Sequence, residues 1–399
     1  MSILKNEEKD SIKSTLVNYL LHCNEEVDTD ILVNKINNFV TTELSYHQRG
    51  KNTKNQINIL LTTGAGNLIQ GGADIWTNHF IEHIWKRLPR RKNWKLLIDS
   101  KKPINFNPDS LPEDLDWHFH YDDPTLTEEL LSECEGIYCL HNHYHKREHI
   151  WKWESKFKLL FVHAYPPEME EVLKKTPELK RLQFNTKVDS SFYKEFLQTF
   201  RKRIWIGNNP TKMIEEFPNY TYNIPNFYKF KHNKKLDNDL IDNGTIGFAS
   251  RCESRKCIHW MHGYVGYVLT GKYDFQNLKD STTYTFPNIK FFQWDSTIHD
   301  SFMNKKFGIF HGAYFKEPFG YSIFQAVDYG KLPIIHTDWA KELDYKYRAS
   351  SKNEFDKAYK KILFDSPEER YKQFANIKTY MLRFGDIEKW TSEILQYFK

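Results

Sequence analysis

Glu317, Pro318, Phe319 and Gly320 make an acidic entry into a tight turn. Tyr321 and Ser322 follow, and Gly330 closes the segment before the apolar run Leu332 to His336. A helix that starts on glycine and serine turns its first backbone N–H groups toward whatever lies above it, which is a seat for a phosphate or a sugar hydroxyl. The Glu317 carboxylate beside that seat accepts hydrogen bonds from hydroxyls, and Gln325, eight positions later, offers a neutral acceptor. Arg251 and Lys256 stand five residues apart just after the apolar run Thr245 to Ala249. On residue type alone they are two of 57 lysines and arginines, and solvated charge is their ordinary reading.

Histidines supply the second set of candidates. His163 closes the run Leu159 to His163. It reads as a strand-end ring with a local hydrogen bond, or as one that donates to a hydroxyl or helps it lose a proton. His141, His143 and His145 alternate, with His149 beyond, and alternate residues of a strand share a face. Three imidazoles on one face suit zinc, acceptor phosphates and hydroxyls, or plain solvation. Gly64, Gly66, Gly71 and Gly72 form a loop whose backbone can approach a ligand closely, although its spacing matches neither Gly-x-Gly-x-x-Gly nor a P-loop. Three basic runs complete the inventory: Lys86 to Lys95 with Arg90 and Arg91, Lys146 to Lys158, and Arg201 to Arg203. The first two are interleaved with Trp85, Trp94, Trp151 and Trp153. Such runs suit a phosphate backbone with stacked bases, and equally a solvated face.

The elements needed to position these residues alternate between strand and helix. Two amphipathic stripes, Ile12 to Leu21 and Ile31 to Leu44, predict helices in residues 1–50. Strands are expected at Ile57–Thr62, Trp94–Ile98, Gly136–Leu140, Leu159–His163 and Arg203–Ile206, with helices at Ile75–Leu88 and Leu126–Cys134 between them. Ile224, Pro225 and Asn226 read as a crossing, because the proline keeps Ile224 extended. A second unit opens at Thr245–Ala249. It continues through a helix at His259–Leu269, strands at Ile289–Phe292, Phe307–His311 and Leu332–His336, and helices from Asn353 to the end. That rhythm argues for parallel, doubly wound sheets.

The Glu317 segment resembles the donor-binding signature of retaining glycosyltransferases of the GT-B fold. The family's second Glu, which binds the nucleotide ribose, is Gln325 here. The resemblance covers nearly the whole chain after about residue 55. It implies two Rossmann-like domains facing a cleft: an acceptor domain at 51–228 joined by a returning C-terminal helix at 386–399, and a donor domain at 229–385. Residues 1–50 would be a helical extension. It further implies that Arg251 and Lys256 clamp the donor diphosphate, that Glu317 and His163 position the sugar, and that Gly71, Gly72, Phe319, Gly320, Tyr321, Ser322 and Gln325 line the donor site. Arg90, Arg91, His141, His143 and His145 would then face the acceptor. The crossing at Pro225, Asn226 and Phe227 followed by the Arg251 and Lys256 loop is distantly similar to phage DNA α-glucosyltransferases. The expected donor is a UDP-sugar, and the expected acceptor a 5-hydroxymethyl-pyrimidine in double-stranded DNA. A glycan or lipid-linked acceptor, or a noncatalytic nucleotide-binding module, are the alternatives. The resemblance also implies that no catalytic metal or other cofactor is needed, since enzymes of that fold generally work without one.

With 399 residues, two domains are the better expectation. Hydrophobic residues make up 40% and aromatics 16%, enough for two cores, while charged residues make up 27%. No run reaches the ~18–20 apolar residues of a spanning helix, and the first ten residues lack the apolar core of a signal peptide. Five scattered cysteines read as reduced thiols, so a cytoplasmic location is expected, in the host cytoplasm for a viral chain; separately, a monomer is expected. Net charge +5 permits an anionic partner without demanding one.

Overall fold

The computed structural model describes residues 57–63, 65, 72–89, 93–100, 106–121, 124–141, 148–153, 155, 157–168, 190–208, 211–251, 256–271, 286–294, 298–315 and 317–398. The expected helical extension at 1–50, together with Gly71, Arg90, Arg91, His143 and His145, lies outside them. The chain falls into two compact units, residues 57–124 with 134–399, and residues 1–56 with 125–133. Of the smaller unit, the described part is residues 125–133, most of helix Pro124–Ser132.

The larger unit carries two parallel sheets. The first contains β1 (Ile57–Thr62), β2 (Trp94–Ile98), β3 (Asp116–Phe119), β4 (Cys134–Cys139), β5 (Phe157–Val162), β6 (Lys202–Trp205) and β7 (Thr221–Asn223), in the order β3-β2-β1-β4-β5-β6-β7. The second contains β8 (Ile246–Ala249), β9 (Gly266–Thr270), β10 (Ile289–Gln293), β11 (Ile309–Gly312), β12 (Leu332–His336) and β13 (Arg348–Ala349), in the order β10-β9-β8-β11-β12-β13. Every pairing is parallel. The central strands are buried along their whole length, as β1, β8 and β12 illustrate, so they read as unbroken apolar runs rather than alternating ones. Pro333 sits within β12 opposite Phe310. Its missing N–H is tolerated because β13 pairs only with Ile335 and His336, further along the strand.

The helices that matter below are α1 (Gly72–His79), α2 (Ser190–Gln198), α3 (Tyr321–Asp328), α4 (Lys352–Phe364), α5 (Pro367–Leu382) and α6 (Ile387–Leu395). Ser351, Ser366 and Asp386 cap the last three, each accepting from the N–H three residues on. Helix α6 packs into the core of the first sheet. Trp390 lies 6.3 Å from Trp76 and 5.7 Å from Phe227 between ring centroids, and Phe398 stacks on Tyr138 at 5.0 Å.

Two differences from the sequence expectation concern the second sheet and the basic runs. Residues 259–269 do not form a helix. A short 3-10 turn, Ile258–Met261, gives way to β9. Gly263 at φ 87 reverses the chain, and Gly266 runs so close to β8 that a Cβ there would meet the Ile246 carbonyl oxygen. The tryptophans of the basic runs are core residues, since Trp85, Trp94, Trp151 and Trp153 are all buried. Arg203 is also buried. It donates to the carbonyls of Leu197 and Phe200 at the end of α2 and to Asn219 O. Lys95 pairs with Asp116, Lys152 with Glu195, and Lys158 donates to Trp151 O. These side chains are engaged within the fold, so the interleaved pattern is not a base-stacking surface.

Candidate functional site

In an open parallel sheet, ligands bind beyond the carboxyl ends of the strands, where the strand order reverses. The second sheet reverses between β8 and β11, and the first between β1 and β4. The loops leaving those four strands carry most of the chemistry-bearing residues, while His163 follows β5. Arg251 and Lys256 follow β8, and Glu317 follows β11. The glycine-rich loop follows β1, and His141 follows β4.

Lys256 and Glu317 meet. The Lys256 ammonium pairs directly with the Glu317 carboxylate, with side-chain exposures of 7% and 13%. The same ammonium lies 4.2 Å from the centroid of the Tyr314 ring, whose face adds cation–π attraction. An ion pair this far from water is costly to assemble and costlier to break on one side only. The backbone beside it is special on both sides. Cys257 adopts the left-handed conformation (φ 53, ψ 33). Gly320, the N-cap of α3, also lies there (φ 85, ψ 54). A Cβ on Gly320 would sit 2.9 Å from Ile323 Cδ1 and 3.3 Å from Glu317 Cγ, so the turn requires glycine.

Helix α3 begins at Tyr321, and Ser322 is its second residue, so the first-turn N–H groups of both have no carbonyl of their own helix behind them. Phe319 stacks on Phe324 at 4.3 Å, and its carbonyl accepts from Trp339 Nε1 at 3.0 Å, which fixes the turn from below. At the other end the N–H of Gly330 reaches Val327 O and that of Lys331 reaches Ala326 O, closing the helix with a left-handed Gly330. Asp328, buried, accepts from the backbone N–H of Lys231, His232 and Asn233 and from the Tyr228 hydroxyl. It thereby ties the crossing segment to α3. Gln325 is half-buried and hydrogen-bonded to His299.

The first sheet contributes at two points. Gly72 faces the Tyr321 ring, where a Cβ would lie 3.3 Å from Cδ2. Asn208, just past β6, donates its N–H to Pro318 O at 2.8 Å, and a Cβ at Gly207 would stand 2.8 Å from the same oxygen. His163 and His141 come together as a stack, 5.0 Å apart and 17° from parallel, with the edge of Trp76 5.5 Å from His163. His163 Nε2 is 2.8 Å from Leu140 O. A carbonyl only accepts, so Nε2 carries the hydrogen, and any chemistry of the neutral ring runs through Nδ1 as an acceptor.

Of the sequence candidates, the fold gathers Lys256 with Glu317 and Gly320, Gly72 with Tyr321, and His141 with His163. Arg251 is exposed, two residues beyond β8. Two residues escaped the sequence reading. Asn208 belongs to a Gly207-Asn208 turn that looked like any loop. His311, fully buried in β11, was indistinguishable from a core strand residue; burial pushes its pKa down to about 3. Among the described residues, no group of three or more His, Cys, Asp or Glu is arranged to hold a metal, and no helix is long and apolar enough to cross a membrane.

No protein-family model and no curated sequence matches the chain. Solved structures do. Sucrose-phosphate synthase from Thermosynechococcus elongatus superposes with a TM-score of 0.61 at 13% identity, over 86% of this chain and 98% of that one. A UDP-forming α,α-trehalose-phosphate synthase from Burkholderia xenovorans, in complex with glucose-6-phosphate, gives 0.53 at 9% identity, over 86% and 100%. An α-glucosyltransferase in complex with UDP-glucose and DNA containing an abasic site gives 0.52 at 11% identity, over 87% and 100%. With its two parallel sheets and the reversal points described above, the chain has the GT-B glycosyltransferase fold.

Proposed function

We propose that this protein is a glycosyltransferase that moves a sugar from a nucleoside-diphosphate donor, UDP-linked, to a hydroxyl acceptor. The observation that carries the reading is the buried Lys256–Glu317 pair beside the Gly320 turn, at the strand-order reversal of the second sheet. Departure of a nucleoside diphosphate builds negative charge on the phosphates, and a fixed cation in a dry site stabilises that charge more in the transition state than in the ground state. Lys256 supplies the cation, with Arg251 and the N–H groups of Tyr321 and Ser322 adding to it. Glu317 and His163 position the sugar, and Gly71 and Gly72 let the first sheet's loop approach it. Gln325 takes the ribose position as a neutral acceptor. Attack on the face from which the diphosphate leaves, with retention, follows from the Glu317 signature, and the leaving oxygen helps take the acceptor proton.

For the acceptor, the proposal is a 5-hydroxymethyl-pyrimidine in double-stranded DNA, approached by His141, His143, His145, Arg90 and Arg91. Its support is the likeness of fold to the glucosyltransferase solved with DNA. The buried tryptophans lend it none. A phosphorylated sugar is the competing acceptor, supported by the likeness of fold to the trehalose-phosphate synthase solved with glucose-6-phosphate. The test incubates purified protein with a set of UDP-sugars and either hydroxymethylated DNA or hexose phosphates, followed by mass spectrometry of nucleosides and sugar phosphates. A glycosylated nucleoside supports the DNA reading. A disaccharide phosphate replaces it, and an unchanged profile with every donor removes the transferase reading.

A further inference from the structure

We infer that His311 is the positioning residue that keeps Lys256 in register with Glu317, by clamping the loop that carries the lysine to the strand that feeds the carboxylate. The inference rests on the reading of Lys256 as a phosphate ligand. His311 lies in β11 with no solvent exposure, and both ring nitrogens are used. The Ala313 N–H donates to Nδ1 at 3.3 Å, so Nδ1 carries no proton. Nε2 therefore bears the hydrogen and donates to the Cys257 carbonyl at 2.9 Å. One ring thus joins the residue after Lys256 to the start of the segment that runs to Glu317.

The clamp falls where the backbone needs it. Cys257 is left-handed, a conformation that residues with a side chain seldom take and that persists where the surroundings over-determine it. Its carbonyl accepts from both His311 and the Trp260 N–H, the latter at 2.9 Å. The ring itself is boxed by Phe355 at 4.7 Å, Phe248 at 5.5 Å, Tyr314 at 5.9 Å and a parallel Trp260 at 6.1 Å. Tyr314 is also the ring over which the Lys256 ammonium sits. An imidazolium in this box would set an N–H at Nδ1 against the Ala313 N–H, so the neutral Nε2–H form alone fits both bonds. Burial, which holds the ring's pKa near 3, agrees with that.

Calorimetric UDP titrations of the full chain test the clamp, using His311→Gln, His311→Leu, Lys256→Met and the His311→Leu/Lys256→Met double variant. Glutamine keeps one donor and one acceptor on a single carbon, spaced much as the ring nitrogens are. Leucine keeps neither. Loss of one charge-assisted hydrogen bond should make Lys256→Met bind about ten- to a hundred-fold more weakly. His311→Leu should lose most of the same factor, the double variant no more than Lys256→Met alone, and His311→Gln should stay within about three-fold of the parent. A folded His311→Leu that binds UDP like the parent, or losses that multiply in the double variant, would overturn the clamp. Should the leucine variant fail to fold, His311→Gln decides. Parent-like UDP affinity supports the clamp, and affinity as weak as that of Lys256→Met refutes it. If Lys256→Met itself leaves UDP affinity unchanged, the phosphate reading of Lys256 falls, and the inference with it.

Discussion

Breaking the Lys256–Glu317 pair from either side should cost far more stability than removing both charges together. Each partner is about nine-tenths out of water, so Glu317→Gln takes the carboxylate away from the ammonium over Tyr314, and Lys256→Met takes the ammonium away from the carboxylate beside the α3 turn. One-sided loss of a buried pair typically costs ~3–5 kcal/mol. The residual exposure, the π face under Lys256 and the acceptor that Gln retains reduce this to about 2–4 kcal/mol. An unfolding entropy of about 2.1 cal/mol/K per residue over 399 residues comes to roughly 0.8 kcal/mol/K. Each single variant should therefore melt about 2–5 °C below the parent by scanning calorimetry. Lys256→Met/Glu317→Gln removes both charges of the pair together and should recover at least half of the larger single loss. Single losses that simply add in the double variant would refute the reasoning, because they would mean that the two side chains do not feel one another.

Three further outcomes follow from the same geometry. Gly320→Ala places a Cβ in a left-handed turn 2.9 Å from Ile323 Cδ1, and should destabilise by about 2–3 kcal/mol in urea unfolding, while the same change at exposed Gly263 meets nothing and costs only the left-handed term of about 1–2 kcal/mol. Asp328→Asn leaves one oxygen to serve three backbone N–H groups and a tyrosine hydroxyl, so it should cost about 2–3 kcal/mol and speed amide exchange at Lys231, His232 and Asn233. His311 has a folded pKa pushed down to about 3 against an ordinary 6.5. The unfolded chain therefore binds the extra proton first, and stability present above pH 6.5 is lost as pH falls toward 3. Between pH 8 and 5 this group should remove about 2 kcal/mol, and His311→Gln should flatten that part of a stability profile.

How much of this was legible depended on whether the signal was local. Strands β1 and β12 were readable because burial on both faces makes a short unbroken apolar run, and α4 and α5 because serine caps and a 3.6-residue stripe bracket them. The Glu317 turn was readable because its glycine is demanded by a left-handed backbone. Strand β9 was lost because Trp260, Met261, Tyr264 and Val268 also fit a helical stripe. What decides for a strand is the approach of Gly266 to Ile246, a contact between residues 20 apart. The tryptophans misled for a related reason. A basic residue can lie at the surface while its neighbour in sequence points inward, and composition does not record which way either faces. His311 was invisible because its work is done through Cys257, 54 positions earlier.

The most direct measurement of the central claim is a crystal structure with UDP bound. The account predicts the diphosphate within hydrogen-bond reach of Lys256 Nζ and the N–H groups of Tyr321 and Ser322, with the Lys256–Glu317 contact opened. A nucleotide seated away from the ends of β8 and β11, or one that leaves the pair closed and Lys256 without a phosphate oxygen, would contradict it.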